Sequence, residues 1–207
     1  MKIRANSVLA SISLLLLAAA IFSFSSAGYI ALKANIAQYL LNKSWLDNSA
    51  STHLKSKPWP WADIYPVAKL TFERLDIAQI VVNNDSGQAL AFAPGFNDFY
   101  EIHDNKMFAD VFVISAHNDT HFSVLESLRL NDKVTLTFKS GYAQQLTVKE
   151  ISVIDTKEES LVVEGEQSVF DENDNKEQYV QELVLVTCYP FSGGNTQNSL
   201  RYIVKLT

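Results

Sequence analysis

The sequence predicts a mainly β protein: a barrel of about eight strands, closed or nearly closed, with one or two short helices and a membrane-spanning helix ahead of it. Three observations carry this. From Val67 to Thr207, short runs rich in Val, Ile, Leu, Thr and Phe alternate with clusters of Asn, Asp, Gly, Ser and Pro, the pattern of strands joined by turns. Only residues 120–128 in that region have helical spacing, and no segment repeats. Residues 5–32 are uncharged and largely apolar, and a spanning helix needs roughly 20 such residues.

The chain thus divides into a signal anchor over 1–32, a juxtamembrane helix and linker over 33–57, and the barrel over 58–207. Lys2 and Arg4 precede the apolar stretch. That flank stays in the cytoplasm, which leaves the barrel outside. Ser25-Ser26-Ala27 has the small residues that a signal peptidase needs. The uncharged stretch runs on past that site, which favours a retained anchor. In residues 33–54, Ala34, Ala37, Leu41 and Trp45 recur at helical spacing, with Asn35, Lys43 and Asp47 elsewhere. An amphipathic helix therefore leaves the bilayer, its apolar face packed on the domain or laid on the membrane. Pro58, Pro60 and Pro66 then forbid a helix interior and favour an extended arm. Trp59 and Trp61 either anchor that arm to the barrel or line a substrate groove.

The strands follow. Residues 69–75 alternate, with Leu70, Phe72 and Arg74 on different faces, and residues 77–82 make a second strand. Asn83-Asn84-Asp85-Ser86-Gly87 and Pro94-Gly95-Phe96 read as turns. Residues 107–115 form an apolar strand that delivers His117 at its end. Residues 120–128 read as a short helix capped by Asp119 or Thr120, with Phe122, Leu125 and Leu128 inward and His121 at its start. Residues 134–139 and 146–154 form a hairpin around Ser140-Gly141, and residues 161–163 a short strand. The charged stretches 157–160 and 170–178 are loops. Residues 183–188 and 200–206 close the sheet, joined through Ser192-Gly193-Gly194-Asn195, where Gly-Gly permits unusual backbone angles. Val184 and Val186 share the core face of their strand.

Composition narrows the class. Of 207 residues, 47% are apolar, enough for one domain with a sizeable core. A net charge of −6 with no long basic run argues against nucleic acid as a partner. Cys188 is the only cysteine. A lone thiol in an exported protein closes no internal disulfide and is open to oxidation, so it is either buried and inert or kept for its chemistry. Pro190 stops the strand, because proline donates nothing to a ladder. Cys188 therefore sits where a strand leaves the sheet, held from behind and open in front.

Two stretches resemble a known family. The run Leu185-Val186-Thr187-Cys188, with Arg201 thirteen residues later, resembles the active-site strand pair of sortases. Ser115-Ala116-His117-Asn118-Asp119-Thr120-His121-Phe122 resembles their histidine loop. The Pro58-Trp59-Pro60-Trp61 arm and Tyr189-Pro190-Phe191 are similar to those of the Gram-negative subgroup. The resemblance covers roughly residues 58–207. It implies an eight-stranded sortase-type barrel and a cysteine transpeptidase anchored in the inner membrane, facing the periplasm. Such an enzyme cuts a Leu-Pro-x-Thr-Gly-like sorting signal after its threonine, holds the acyl group as a thioester, and passes it to an amine, here of open identity. Cys188 is then the nucleophile, His117 the general acid and base, and Arg201 the group that stabilises the oxyanion or orients substrate carbonyls. Thr187, Ala116 and Tyr189 would form the substrate-binding surroundings. Many sortases carry a histidine after a Pro-Gly, where this chain has Phe96.

The residue types fit that chemistry. A free thiol ionises near a pH of about 8.5, so a neighbouring base or charge must activate it. Acyl transfer also needs a proton donor for the leaving amine and positive charge at the oxyanion. Arginine does not lose its proton, so Arg201 cannot be the base. Cys188 and Arg201 fall on consecutive predicted strands and can lie side by side across the sheet. His53 and His103 have no partner pattern and read as surface residues.

No cofactor is called for. Asp171, Asn173, Asn175 and Glu182 fall at positions one, three, five and twelve of a calcium loop. Position six is Lys176, where that motif needs glycine, so a solvated acidic loop accounts for the same residues. Two other functions fit less well. A catalytically silent barrel that holds a peptide would have no need of Cys188, His117 and Arg201 together. A thiol redox protein would need a resolving cysteine or a Cys-x-x-Cys pair.

Overall fold

The computed structural model describes residues 11–17, 32–33, 35–47, 56–97, 111–158, 182–192 and 199–207. The chain forms two compact units, Met1–Leu40 and Leu41–Thr207. In the first, residues 11–17, 32–33 and 35–40 are helical, and Leu14, Leu15, Leu16 and Leu17 are exposed. Most of the predicted spanning segment lies outside the described residues. Among those described, no helix is long and apolar enough to cross a membrane.

The second unit opens with helical residues 41–46 and then holds eight strands. These are β1 (Pro66–Phe72), β2 (Ile77–Val82), β3 (Gly95–Phe96), β4 (Val111–Ser115), β5 (Lys133–Phe138), β6 (Ala143–Asp155), β7 (Glu182–Cys188) and β8 (Leu200–Leu206). They close into a barrel in the order β1-β2-β3-β4-β7-β8-β6-β5, with β5 returning to β1. Two neighbouring pairs, β2–β3 and β4–β7, are parallel, and the other pairs are antiparallel. A closed sheet has no free edge to protect.

Period-two alternation sends one face of each strand inward. Leu70 and Phe72 of β1 share the inner face with Ala68, all buried, which corrects the expectation that they diverge. Residues i and i+2 of a strand point the same way, so the two could not have parted. The strand also stops at Phe72. Glu73–Leu75 is a 3-10 turn, closed by Asp76 in the left-handed region at φ 53°, which aspartate tolerates. Arg74 is thus on a turn rather than a strand. Its Nε and Nη2 each meet one Asp132 carboxylate oxygen at 2.7 Å, and Nη2 also donates to the Ser127 carbonyl at 2.6 Å.

The expected turn at Pro94-Gly95-Phe96 is instead strand β3. Gly95 pairs with Val82 on one side and Ser115 on the other. A Cβ at Gly95 would lie 2.0 Å from the Asn84 carbonyl oxygen, so only glycine fits this approach. The turn at residues 83–86 leads into a one-turn helix, Gly87–Leu90, whose Ser86 hydroxyl accepts from the Ala89 N–H at 3.3 Å. Around it lies a second apolar cluster of Leu41, Ala62, Ile64, Val82, Ala89 and Ala93. Trp59 packs here edge-on to Phe92, with ring centroids 5.3 Å apart, so it anchors the arm. Trp61 is 80% exposed and anchors nothing.

The segment after His117 is a 3-10 helix, His121–Ser127, kinked at Phe122. Thr120 occupies the N-cap position, but its side chain makes no capping bond. Its carbonyl accepts from the Ser123 N–H and hydroxyl, at 3.3 and 2.7 Å. Phe122, Val124, Leu125 and Leu128 are buried and plug the barrel core. On β7 the core face carries Leu183, Leu185 and Thr187, whereas Val184, Val186 and Cys188 share the opposite face. The two valines are thus not on the core side, although Val184 is itself buried. The expected strand at 161–163, the loop at 170–178, residues 107–110 and Gly193-Gly194-Asn195 lie outside the described residues.

Candidate active site

The site is assembled by register. In the antiparallel β7–β8 pair, Cys188 stands directly opposite Arg201 and Thr187 opposite Tyr202. Opposite residues in such a pair share a face, so Cys188 and Arg201 project together, away from the barrel core. Pro190 ends the strand as expected. The last backbone bond on this side is Tyr189 N–H to the Leu200 carbonyl, 3.1 Å. On the other flank β4 runs parallel to β7, with Ser115 paired to Val186. The Ala116 N–H donates to the Val186 carbonyl at 3.3 Å. Thr187 Oγ1 donates to the Ala116 carbonyl at 2.7 Å. The paired register ends at Ser115 and Val186, and His117 and Cys188 each lie two residues beyond it. β4, β7 and β8 are neighbours in the sheet, so His117, Cys188 and Arg201 stand at adjacent strand ends.

That group is open. His117 and Cys188 are exposed and Arg201 is half-buried, with Nη1 on the Leu200 carbonyl at 3.0 Å. The residues around it are fixed. Thr187 and Ala116 are 2% and 5% exposed and are bonded to each other. Asn118 Nδ2 donates to the Pro190 carbonyl at 2.8 Å, joining the histidine loop to the cysteine loop. Tyr189 is partly exposed and stacks on Tyr202 (centroids 6.2 Å, planes at 16°), with Phe191 edge-on to Tyr202 at 5.0 Å. Burial first, then the nearby Glu126 and Tyr189, holds the Tyr202 phenol above its ordinary range.

His121 lies at the start of the 3-10 helix, and Gln79 Nε2 donates to its carbonyl. Burial, then the charge of neighbouring His117, pulls its imidazole below the usual histidine range. His53 and His103 lie outside the described residues.

Chemically, the group offers a soft nucleophile, an imidazole and a fixed cation, which is the set that acyl transfer needs. Asn118 is the residue that sequence reasoning missed. It was visible only as part of the histidine-loop motif, since its partner lies 72 residues away. Asp171, Asn173 and Asn175 lie outside the described residues, and Glu182 opens β7 opposite Val111. Among the described residues, no three His, Cys, Asp or Glu side chains gather as a metal site.

Comparison with known proteins follows the same lines. The family model described as sortase domain matches residues 70–207. Among curated proteins, none matches the chain. Solved structures share the fold. A sortase D5 transpeptidase of Clostridium perfringens superposes with a TM-score of 0.52 at 17% identity, over 84% of this chain and 98% of that one. The lid mutant of sortase A from Corynebacterium diphtheriae gives 0.50 at 18% identity, over 84% and 89%. With two thirds of its length matched by the sortase domain and an eight-stranded barrel of the same fold, the chain belongs to the sortase family, whose members are cysteine transpeptidases.

Proposed function

We propose that this protein cleaves a Leu-Pro-x-Thr-Gly-like sorting signal after its threonine, through a thioester on Cys188, and transfers the acyl group to an amine acceptor. The reading is supported by the pairing of Cys188 with Arg201 across β7 and β8, and by the position of His117 two residues past the end of β4, the neighbour of β7. The Cys188 thiolate attacks the threonine carbonyl carbon. Negative charge collects on the carbonyl oxygen, where the Arg201 guanidinium stabilises it. The C–N bond breaks as the His117 imidazolium gives its proton to the departing glycine amine. The acceptor amine then gives a proton to His117 and attacks the thioester carbonyl, and the C–S bond breaks to return the thiolate. Thr187, Ala116 and Tyr189 form the substrate-binding surroundings, with Tyr189 partly exposed.

The same reading extends to place and class. Lys2 and Arg4 ahead of the apolar stretch over residues 5–32 support an inner-membrane anchor with the N-terminus in the cytoplasm and the barrel on the periplasmic side. The Pro58-Trp59-Pro60-Trp61 arm and Tyr189-Pro190-Phe191 support the Gram-negative subgroup. Partners are then a substrate protein with a C-terminal sorting signal and an amine acceptor.

The test mixes the full-length protein in detergent with a panel of Leu-Pro-x-Thr-small-residue peptides, with and without hydroxylamine. Release of a hydroxamate ending in threonine, abolished by Cys188→Ala, is the expected result. Peptide binding that survives Cys188→Ala, with no cleavage of any peptide, would instead identify a catalytically silent binding barrel.

A further inference from the structure

His117 and Cys188 are bracketed by two cross-strand hydrogen bonds. One residue before each of them, Thr187 Oγ1 donates to the Ala116 carbonyl at 2.7 Å. Beyond them, the residue after His117 reaches the second residue after Cys188, as Asn118 Nδ2 donates to the Pro190 carbonyl at 2.8 Å. The parallel β4–β7 ladder has ended by then, its last register pair being Ser115 and Val186. Past that point the Asn118 side chain joins the two loops. Without it, the links across to β7 are the Ala116 N–H bond to the Val186 carbonyl and the Thr187 bond, both before His117, while the His117 carbonyl accepts from Phe122 N–H within its own loop.

We propose that Asn118 is a positioning residue: its carboxamide, bonded to the Pro190 carbonyl, holds the histidine loop against the cysteine loop and keeps His117 within proton-transfer reach of Cys188. The proposal rests on the reading of His117 and Cys188 as acid–base and nucleophile. The chemistry of the contact demands a donor, because Pro190 presents a carbonyl oxygen. Aspartate has the same shape but would set a carboxylate oxygen against that carbonyl. A misplacement of about 1 Å between reacting groups can cost on the order of a hundredfold in rate, so one hydrogen bond at this place has leverage beyond its own strength.

The test reads the separation directly and needs no knowledge of the substrate. 1,3-Dibromoacetone alkylates a thiolate with loss of bromide. An imidazole nitrogen within reach then displaces the second bromide and loses its proton, which leaves a Cys–His bridge. Mass spectrometry separates this bridge from the single adduct. The full-length protein in detergent is treated as wild type, His117→Ala, Asn118→Ala and Asn118→Asp. Wild type is expected to bridge and His117→Ala to stop at the single adduct. Both Asn118 variants should lose about tenfold in the bridged-to-single ratio. In the transfer assay the same variants lower kcat and leave KM within about twofold. Bridging at the wild-type ratio in both variants overturns the proposal and leaves the catalytic pair standing. A loss in Asn118→Ala alone assigns the effect to vacated volume and also overturns it. A wild-type protein that gives only the single adduct sinks the pair and the proposal together.

Discussion

The hydroxyl of Thr187 separates stability from positioning. It lies buried, 2% exposed, and donates at 2.7 Å to the carbonyl of Ala116, itself 5% exposed. Thr187→Val replaces the hydroxyl by a methyl of similar size and leaves the Ala116 carbonyl without this donor. A buried group so deprived costs about 1–3 kcal/mol, partly offset because a buried hydroxyl has also been removed. A net loss of about 1 kcal/mol follows, or about 2–4 °C in Tm for a domain of this size. Thr187→Ser keeps the hydroxyl and deletes one buried methyl, which costs about 1 kcal/mol by lost burial and a small cavity. The two variants should therefore melt alike and work differently. Thr187→Val frees the end of β4 and lowers kcat for peptide transfer by about tenfold or more, whereas Thr187→Ser stays within a few-fold of wild type. Calorimetry and transfer to hydroxylamine read the two quantities on the same samples. Equal rates for the two variants would refute the idea that this bond sets the His117 position.

Other perturbations test the frame around the site. Gly95→Ala puts a methyl 2.0 Å from the Asn84 carbonyl oxygen, both on backbone that cannot turn aside. It should part β3 from β2 and cost about 1–3 kcal/mol; an unchanged thermal melt would contradict the fit. The Arg74 hydrogen bonds hold the Asp132 carboxyl below the ordinary carboxylate range. A group depressed in this way stabilises the fold above its unfolded value, about 3.9, and the contribution is lost as pH falls through the folded value. Asp132→Asn should therefore lower Tm at neutral pH, with the gap to wild type closing in acid; a gap that is constant with pH would rule out the ion pair as its cause. Burial holds His121 below the usual histidine range. The unfolded chain then takes up its proton first, so wild type should lose stability as pH falls below about 6.5 and through the lowered folded value. His121→Gln should flatten that part of the stability profile, and urea unfolding from pH 7.5 downward shows whether it does.

Much of this architecture was legible because strands announce themselves locally. Runs such as residues 77–82, 134–139 and 200–206 carry their own β-branched alternation, and the apolar stop at Pro190 placed Cys188 at a strand end from the sequence alone. What local pattern cannot supply is pairing. β3 is two residues long, pairs with β2 and β4, and needs glycine at 95, where a Cβ would meet the Asn84 carbonyl in the turn after β2. Its Gly-Phe sequence reads as a turn, since glycine after proline is the ordinary turn signal. The faces of Val184 and Val186 were misjudged for a related reason. In a run apolar on both sides, hydrophobicity does not say which side meets the core. The 3-10 helix His121–Ser127 was found as a helix because Phe122 and Leu125 are three apart, a spacing that both helix types satisfy. At the site, Cys188 and Arg201 lie on consecutive strands and could be paired by reading, whereas Asn118 and Pro190 meet through the parallel β4–β7 contact, which no local signal encodes.

The central claim is that Cys188 carries the acyl group. The most direct measurement is acid-quenched intact-protein mass spectrometry of the full-length chain, milliseconds to seconds after mixing with a cleavable sorting peptide. The account predicts a mass increase equal to the peptide acyl fragment ending in threonine, located on the peptide that contains Cys188. The adduct should be discharged by hydroxylamine, absent in Cys188→Ala and slow to form in Arg201→Ala. Turnover of the peptide with no adduct on Cys188 at any time, and undiminished in Cys188→Ala, would contradict it.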